Sequence, residues 1–312
     1  MLEKNKIIAL TKFITPQKTK VHYSIETNAT LLTNDVIEEL YKNHIGIGIS
    51  IDGDRKCHDL QRTFVSGKGS YDTVKKNLLQ AQRYYKNKIG TITTITKQTA
   101  VHIEKIIEHL VLDLHISNIK LNFVHASTYT HGQNQCLNTQ EIADTELRIL
   151  YKIIELQERG YDVMEHNIFI KLKNLLFREY TDICLSCGCC GGKKMIVFDM
   201  DGNIYPCELT DDASFVIGSI YKKESLIEQI KMTIDKDKAF FKMKKAVECE
   251  KCYWKFFCRG GCTVRALSEK RQMEVIDIDH IECAINQVLY PALMELVLRK
   301  PHIVNQMLGH RL

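Results

Sequence analysis

Over the first ~125 residues, apolar runs of strand length alternate with stretches whose apolar residues return every three or four positions, a pattern that builds parallel βα units. A strand is predicted over 20–26 (KVHYSIE), and the N-capping group Thr33-Asn34-Asp35 opens a short helix ending near His44. The apolar run 45–51 (IGIGISI) reads as a second strand. After a polar loop comes a helix over 70–88, with Val74, Leu78, Ala81 and Tyr85 on one face. A strand over 90–96 precedes a helix that carries Ile103, Ile106, Ile107, Leu110, Val111 and Leu114 in the helical repeat, and 118–124 supplies a fourth strand. Four such strands are too few to close a parallel barrel alone.

From 138 to about 180 the pattern is helical: Ala143, Leu147, Leu150, Tyr151 and Ile154 form one stripe, and a second helix lies around 168–180. Beyond Cys184 the chain turns to cysteine, glycine and short β pieces. Residues 195–198 and 203–205 flank Asp201-Gly202, a hairpin turn pair. The stretch 281–298 is again helical. The expected class is α/β, with a βα region over 1–137, a helical bridge over 138–182 and a cysteine-rich region over 183–312.

Composition narrows the setting. With 312 residues and 45% hydrophobic content the chain can bury a core without disulfide staples. The start carries Glu3, and Lys12 interrupts its apolar stretch, so no secretory leader is read there. No uncharged apolar run approaches the roughly 18 residues of a membrane span. The expectation is a cytoplasmic protein with reduced thiols and no membrane partner. A net charge of +5, spread along the chain, gives no case for nucleic acid.

Ten of the twelve cysteines lie between Cys184 and Cys283. Cys249-x2-Cys252-x5-Cys258-x3-Cys262 is followed by Cys283, and preceded by Cys207 and by the group Cys184, Cys187, Cys189 and Cys190. Thiolates at this density read as metal ligands, sufficient for two four-ligand sites. Zinc and iron–sulfur clusters both accept four thiolates, so ligand type leaves both open. One tight pair followed by wider intervals, without histidine, favours a bulkier cluster.

At this point the chain resembles a known family. Gly202-x4-Cys207, the run Cys249 to Cys262 and the distant Cys283 look like the seven-cysteine signature of the SPASM domain, the C-terminal part of many radical S-adenosylmethionine (SAM) enzymes that modify peptides and proteins. These include anaerobic sulfatase-maturating enzymes and thioether-forming peptide maturases. The resemblance implies two auxiliary [4Fe–4S] clusters with crossed ligation. Cys249, Cys252, Cys258 and Cys283 would hold the outer one, and Cys207 and Cys262 would join Cys187 and Cys190 on the inner one, with Cys187-Gly188 resembling the usual Cys-Gly opening. Upstream, Thr27 to Leu32 (TNATLL) looks like the T-N-G-T-L-L element of radical SAM barrels, with Ala29 in place of glycine. Gly46 to Gly53 (GIGISIDG), followed by His58-Asp59 and Arg62, is similar to the strand that ends at the SAM site. On that match Asn28, Ser50 and Arg62 would be the cofactor-binding residues, with Ser50 and Arg62 contacting SAM. Glu208 stands where sulfatase-maturating relatives carry an acidic residue thought to take a substrate proton; a solvated loop carboxylate is its plainer reading.

The family binds SAM on a third [4Fe–4S] cluster held by C-x-x-x-C-x-x-C, and this sequence has no cysteine before Cys57. The fold expected is therefore a partial radical SAM βα barrel followed by the SPASM domain, an N-terminally truncated enzyme from a split gene or a misplaced start that should not cleave SAM by itself. The resemblance implies hydrogen abstraction from a peptide or protein substrate, such as a short Cys-rich precursor, giving a thioether, a formylglycine or another oxidised residue. Flavodoxin or ferredoxin would supply electrons. The alternative is a stand-alone iron–sulfur or zinc module for binding or electron transfer.

Other motifs are weaker. Val197 to Glu208 partly resembles a calcium loop, but its first place is Val197 and its flanks read as strands. Gly67-Lys68-Gly69 lacks the hydroxyl residue of a phosphate loop and reads as the loop before a helix. His102, His109 and His115 have no i, i+4 pair and read as surface or core residues. Trp254, Phe256 and Phe257, between cluster cysteines, read as a shield against water.

Overall fold

The computed structural model describes residues 4–14, 21–125, 133–178, 191–192, 194–210, 213–236, 247–270 and 278–309. The chain forms two compact units. The first comprises Met1–Val124, Arg148–Phe169 and Lys300–Leu312, and the second His125–Leu147 and Ile170–Arg299.

The first unit is built on a five-stranded sheet of order β1-β2-β3-β4-β5, every neighbouring pair parallel. It opens with α1 (Lys4–Ile14), β1 (Tyr23–Thr27), α2 (Asn34–Lys42) and β2 (Ile45–Ser50). Next come α3 (Arg55–Gln61), α4 (Tyr71–Tyr85), β3 (Gly90–Ile95), α5 (Lys97–Ala100), α6 (Ile103–Glu108) and β4 (Asn118–Phe123). The four expected strands are present. A fifth, β5 (Met164–Glu165), lies between α7 (Thr139–Glu158) and α8 (His166–Phe177) and pairs with Asn118 and Ile119. Sequence reading missed it because two residues carry no periodicity.

In β2, Ile45, Ile47 and Ile49 are buried while Gly46, Gly48 and Ser50 are half-buried, the two-residue alternation of a pleated strand. Val74, Leu78 and Ala81 of α4 and Ile103, Ile106 and Ile107 of α6 are buried, so the faces read from the 3.6-residue repeat are core faces. The register Thr27↔Ile49 and Ser50↔Ile92 places the carboxyl ends of β1 and β2 on one side of the sheet.

The second unit holds an antiparallel sheet, β6 (Val197–Phe198), β7 (Asn203–Tyr205) and β8 (Gly218–Ser219). After it come α9 (Leu226–Lys236), α10 (Val247–Glu250), α11 (Lys255–Cys258), α12 (Thr263–Lys270) and α13 (His280–Arg299). The closing helix α14 (Pro301–Met307) belongs to the first unit. Asp199 accepts the backbone N–H groups of Asp201 (2.9 Å) and Asn203 (2.8 Å) and closes the β6–β7 turn. The calcium-like spacing is thus a hairpin.

By length and apolarity α13 resembles a membrane span. Its Ile285, Leu289, Tyr290, Leu293 and Leu296 are buried, and Glu282 and Asn286 bond to Lys171 within the unit, so one face of it packs on the core.

Candidate functional site

Two groups of residues carry chemistry, one in each unit. In the first, the chain leaving β1 turns through Ala29, fully buried at φ +56°, a left-handed conformation that glycine adopts more cheaply. The Asn77 amide donates to the Ala29 carbonyl (2.7 Å) and holds the turn. Asn28 is exposed, and its side-chain oxygen accepts the Thr30 backbone N–H (3.2 Å) and hydroxyl (3.0 Å).

Ser50 is the last residue of β2. Two residues on, the buried Asp52 draws Arg62 back to the end of the strand. Arg62 donates from Nε (2.6 Å) and Nη2 (3.3 Å), the Gln61 amide donates at 3.0 Å, and the Thr94 backbone N–H at the end of β3 donates at 2.9 Å. Asp52 thereby brings together Arg62 and the ends of two strands. A second chain of bonds fixes the loop carrying Arg62. The backbone N–H of Asp52 donates to His58 Nδ1 (3.2 Å), His58 Nε2–H donates to Ser70 Oγ (3.0 Å), and that hydroxyl donates to the Arg62 carbonyl (2.9 Å). A ring nitrogen that accepts from a backbone N–H makes His58 the neutral Nε2–H tautomer, and burial lowers its pKa in the same direction. Neither Asp52 nor Ser70 was singled out from sequence, because a buried carboxylate is apparent only once its partners surround it.

The loop before α4 is no phosphate cradle. A Cβ at Gly69 would lie 2.1 Å from the Asp59 carboxyl carbon, and an anion already occupies the space. His109 bonds the Tyr71 hydroxyl (2.7 Å) and Asp113 (2.7 Å), the structural role expected of it.

In the second unit, Cys249, Cys252, Cys258 and Cys283 line a single cavity of about 120 Å³ together with Trp254 and Asp279. Local turns deliver the thiols. The Cys252 N–H bonds to the Cys249 carbonyl (3.3 Å), the Trp254 N–H donates to Cys252 Sγ (3.4 Å), and the Cys258 N–H bonds to the Trp254 carbonyl (2.8 Å). After Cys258 the backbone turns at positive φ through Arg259, Gly260 and Gly261. A Cβ on Gly261 would lie 2.7 Å from Asp279 Oδ2, so only glycine leaves room for the bond from the Cys262 N–H to that carboxylate (2.7 Å). Trp254 stacks on buried Tyr290 at 5.3 Å, with Phe257 at 5.4 Å from the same ring, and covers one side of this region. Phe256 is exposed and forms no part of that cover.

Cys207 and Cys262 share one apolar cluster in this unit. Buried Cys207 packs with Val264, and Met195, Phe215 and Cys262 lie against them. The Gly192 N–H donates to the carbonyls of Met195 (2.8 Å) and Pro206 (3.0 Å), so the chain just after Cys190 is bonded to the residue before Cys207. Cys184, Cys187, Cys189 and Cys190 themselves lie outside the described residues. Glu208 is exposed.

A set of four thiols suits either a zinc ion or an iron–sulfur cluster. Zinc needs sulfurs ~2.3 Å from one point, and among the described residues no three His, Cys, Asp or Glu side chains are grouped to hold one metal ion, although four thiols border one cavity. Burial raises the thiol pKa of Cys258, Cys262 and Cys283. Buried thiols of this kind ionise when a metal supplies the opposing charge.

No family model matches the chain. Over 245 residues, 78% of its length, it is 26% identical to the cysteine-type anaerobic sulfatase-maturating enzyme of Clostridium novyi, and the match spans 64% of that protein, somewhat under two-thirds. Among solved structures, anSMEcpe with bound AdoMet superposes with a TM-score of 0.80 at 20% identity, covering 98% of this chain and 80% of that one. The same protein with AdoMet and a Cp18Cys peptide gives 0.79, at 20% identity and 94% and 81% coverage. Streptococcus suis SuiB bound to the precursor peptide SuiA gives 0.62 at 19% identity, covering 88% and 60%.

Proposed function

We propose that the chain serves in post-translational modification of a peptide or protein by SAM-dependent hydrogen abstraction, a reading supported by its similarity to the anaerobic sulfatase-maturating enzymes and to SuiB. The observation that carries this reading is the convergence of Cys249, Cys252, Cys258 and Cys283 on one cavity. These four would hold an outer [4Fe–4S] cluster. Cys207 and Cys262, with Cys187 and Cys190, would hold an inner one, and the unit around them would be the SPASM domain. The five-stranded parallel sheet would be part of a βα barrel. When bound, the clusters supply one-electron transfer, with flavodoxin or ferredoxin as donor.

The chain's own residues have separable tasks. Arg62, partly exposed and clamped by Asp52, offers its remaining guanidinium hydrogens to a carboxylate at the end of β2. Ser50 supplies a hydroxyl at the same strand end, and Asn28 lies at the end of β1. Glu208, exposed and next to Cys207, would take a proton from the substrate side chain. SAM cleavage in the family rests on a C-x-x-x-C-x-x-C motif that these 312 residues do not contain. The auxiliary clusters and the SAM- and peptide-facing surfaces would therefore be this chain's share. Anaerobic reconstitution followed by iron, sulfide and zinc analysis tests it. About eight iron and eight sulfide per chain are expected for two cubanes. One or two zinc without sulfide would favour the stand-alone binding module.

A further inference from the structure

One buried carboxylate is bonded to both groups of cysteines. Asp279 is 2% exposed and stands immediately before α13. Its Oδ1 accepts the Glu282 N–H (3.1 Å) and its carbonyl accepts the Cys283 N–H (2.8 Å). Asp279 thus caps the helix and sets the turn from which Cys283 reaches the four-cysteine cavity. Its other oxygen, Oδ2, accepts the Cys262 N–H at 2.7 Å. Cys262 packs in the apolar cluster with Cys207, so the two oxygens serve different sets of thiols.

Arg265 fixes the carboxylate between these two tasks. Its Nη2 donates to Oδ2 at 2.7 Å, and its Nε lies between the two oxygens at 3.0 and 3.1 Å. Each carboxylate oxygen has two acceptor sites, so Oδ2 holds the guanidinium and the Cys262 N–H together. The chain makes room for this contact at Gly261, where a Cβ would lie 2.7 Å from Oδ2 and 2.8 Å from the Asp279 Cβ. The turn from Cys258 to Cys262, which leads from one set of thiols to the other, is therefore docked on Asp279. A bond to the backbone of a ligand fixes where its sulfur stands, and loss of such an outer partner typically lowers metal affinity by ~10–100-fold.

We propose that Asp279 is a positioning residue shared by both clusters: Oδ2 holds Cys262 for the inner one, while Oδ1 caps the helix that carries Cys283 for the outer one. This rests on the cluster reading above and adds the residue that fixes the two ligand sets relative to each other.

Two variants separate the tasks. Serine caps a helix as well as aspartate does but lacks the second oxygen, so Asp279→Ser keeps the start of α13 and frees Cys262. Arg265 retains Glu282 at 3.3 Å. Asp279→Ala removes both oxygens. The full chain, reconstituted anaerobically with iron and sulfide, is challenged with an iron chelator, and the outer cluster is followed as the EPR signal lost in Cys283→Ala. In Asp279→Ser ~four iron atoms per chain should leave about tenfold faster than in the wild type while the outer signal persists. In Asp279→Ala the outer signal should decay faster as well. Hydrogen exchange on the loaded wild-type chain tests the same bond without a variant: the Cys262 amide should be protected. Release of all the iron at one rate in Asp279→Ser, wild-type release in both variants, or unprotected exchange at Cys262 overturns the inference and leaves the cluster reading standing. A chain that takes up no sulfide refutes the cluster reading, and this inference with it.

Discussion

Removing the Asp52 carboxylate should uncouple Arg62 from the ends of β2 and β3, and the expected size follows from what the carboxylate holds. It is 1% exposed and accepts four hydrogen bonds, two from Arg62, one from Gln61 and one from the Thr94 backbone. Breaking a buried ion pair by deleting one partner costs ~3–5 kcal/mol. The Arg62 side chain is 28% exposed and can turn partly to water, which sets the expectation for Asp52→Ala at the lower end, ~3 kcal/mol. Part of that is the half-buried Thr94 N–H, left without its acceptor, at ~1–3 kcal/mol. Asp52→Asn keeps one acceptor oxygen and should lose only ~1–2 kcal/mol. Urea unfolding at pH 7 measures the loss, and hydrogen exchange at the Thr94 amide reports it locally. A cycle of Asp52→Ala, Arg62→Ala and the double variant should return a coupling of ~1–3 kcal/mol. If Asp52→Ala costs under ~1 kcal/mol and the Thr94 amide stays protected, the clamp as described is wrong.

Gly53 has φ +96°, and a Cβ there would lie 2.7 Å from Ile106 Cγ1; Gly53→Ala should cost ~2–4 kcal/mol, and an unchanged melting temperature would contradict that. Burial raises the Glu165 carboxyl from the ordinary 4.5 to about 7, against backbone N–H bonds from Ile168 and Leu121. The folded chain then holds this proton more tightly than the unfolded one. Its contribution, about 3 kcal/mol at ~1.4 kcal/mol per pH unit, should be full below pH 4.5 and lost as pH rises through 7. Urea midpoints between pH 4.5 and 8 should show this fall in the wild type and a smaller one in Glu165→Gln; equal slopes would refute it. Cys57 is buried, with burial pushing its thiol up to about 11. Iodoacetamide at pH 8 should leave it unmodified in the folded chain, as peptide mass spectrometry would show, and labelling at the rate seen in urea would overturn that.

The four longer strands and the apolar faces of α4 and α6 were legible because periodicity is a local property: Val74, Leu78 and Ala81 share a face whatever lies opposite. The Cys249–Cys258 spacing was legible for the same reason, since thiols this close in sequence lie on one short turn. Ala29 shows how far this goes. The element it resembles carries glycine there, and the positive φ of Ala29 is a backbone conformation that favours glycine.

What only the tertiary structure decided was partnership across distance. The strand β5 exists because Asn118 and Ile119 offer an edge to Met164 and Glu165, not because two residues prefer extended backbone. Asp52 became a clamp when Arg62, Gln61 and Thr94 closed on it. Lys171 is held by Asn286 and Glu282, more than a hundred positions away. Local sequence determines which face of an element is apolar and how near two ligands can stand; the orientation of a buried amide or carboxylate is set by donors and acceptors that only the folded chain assembles.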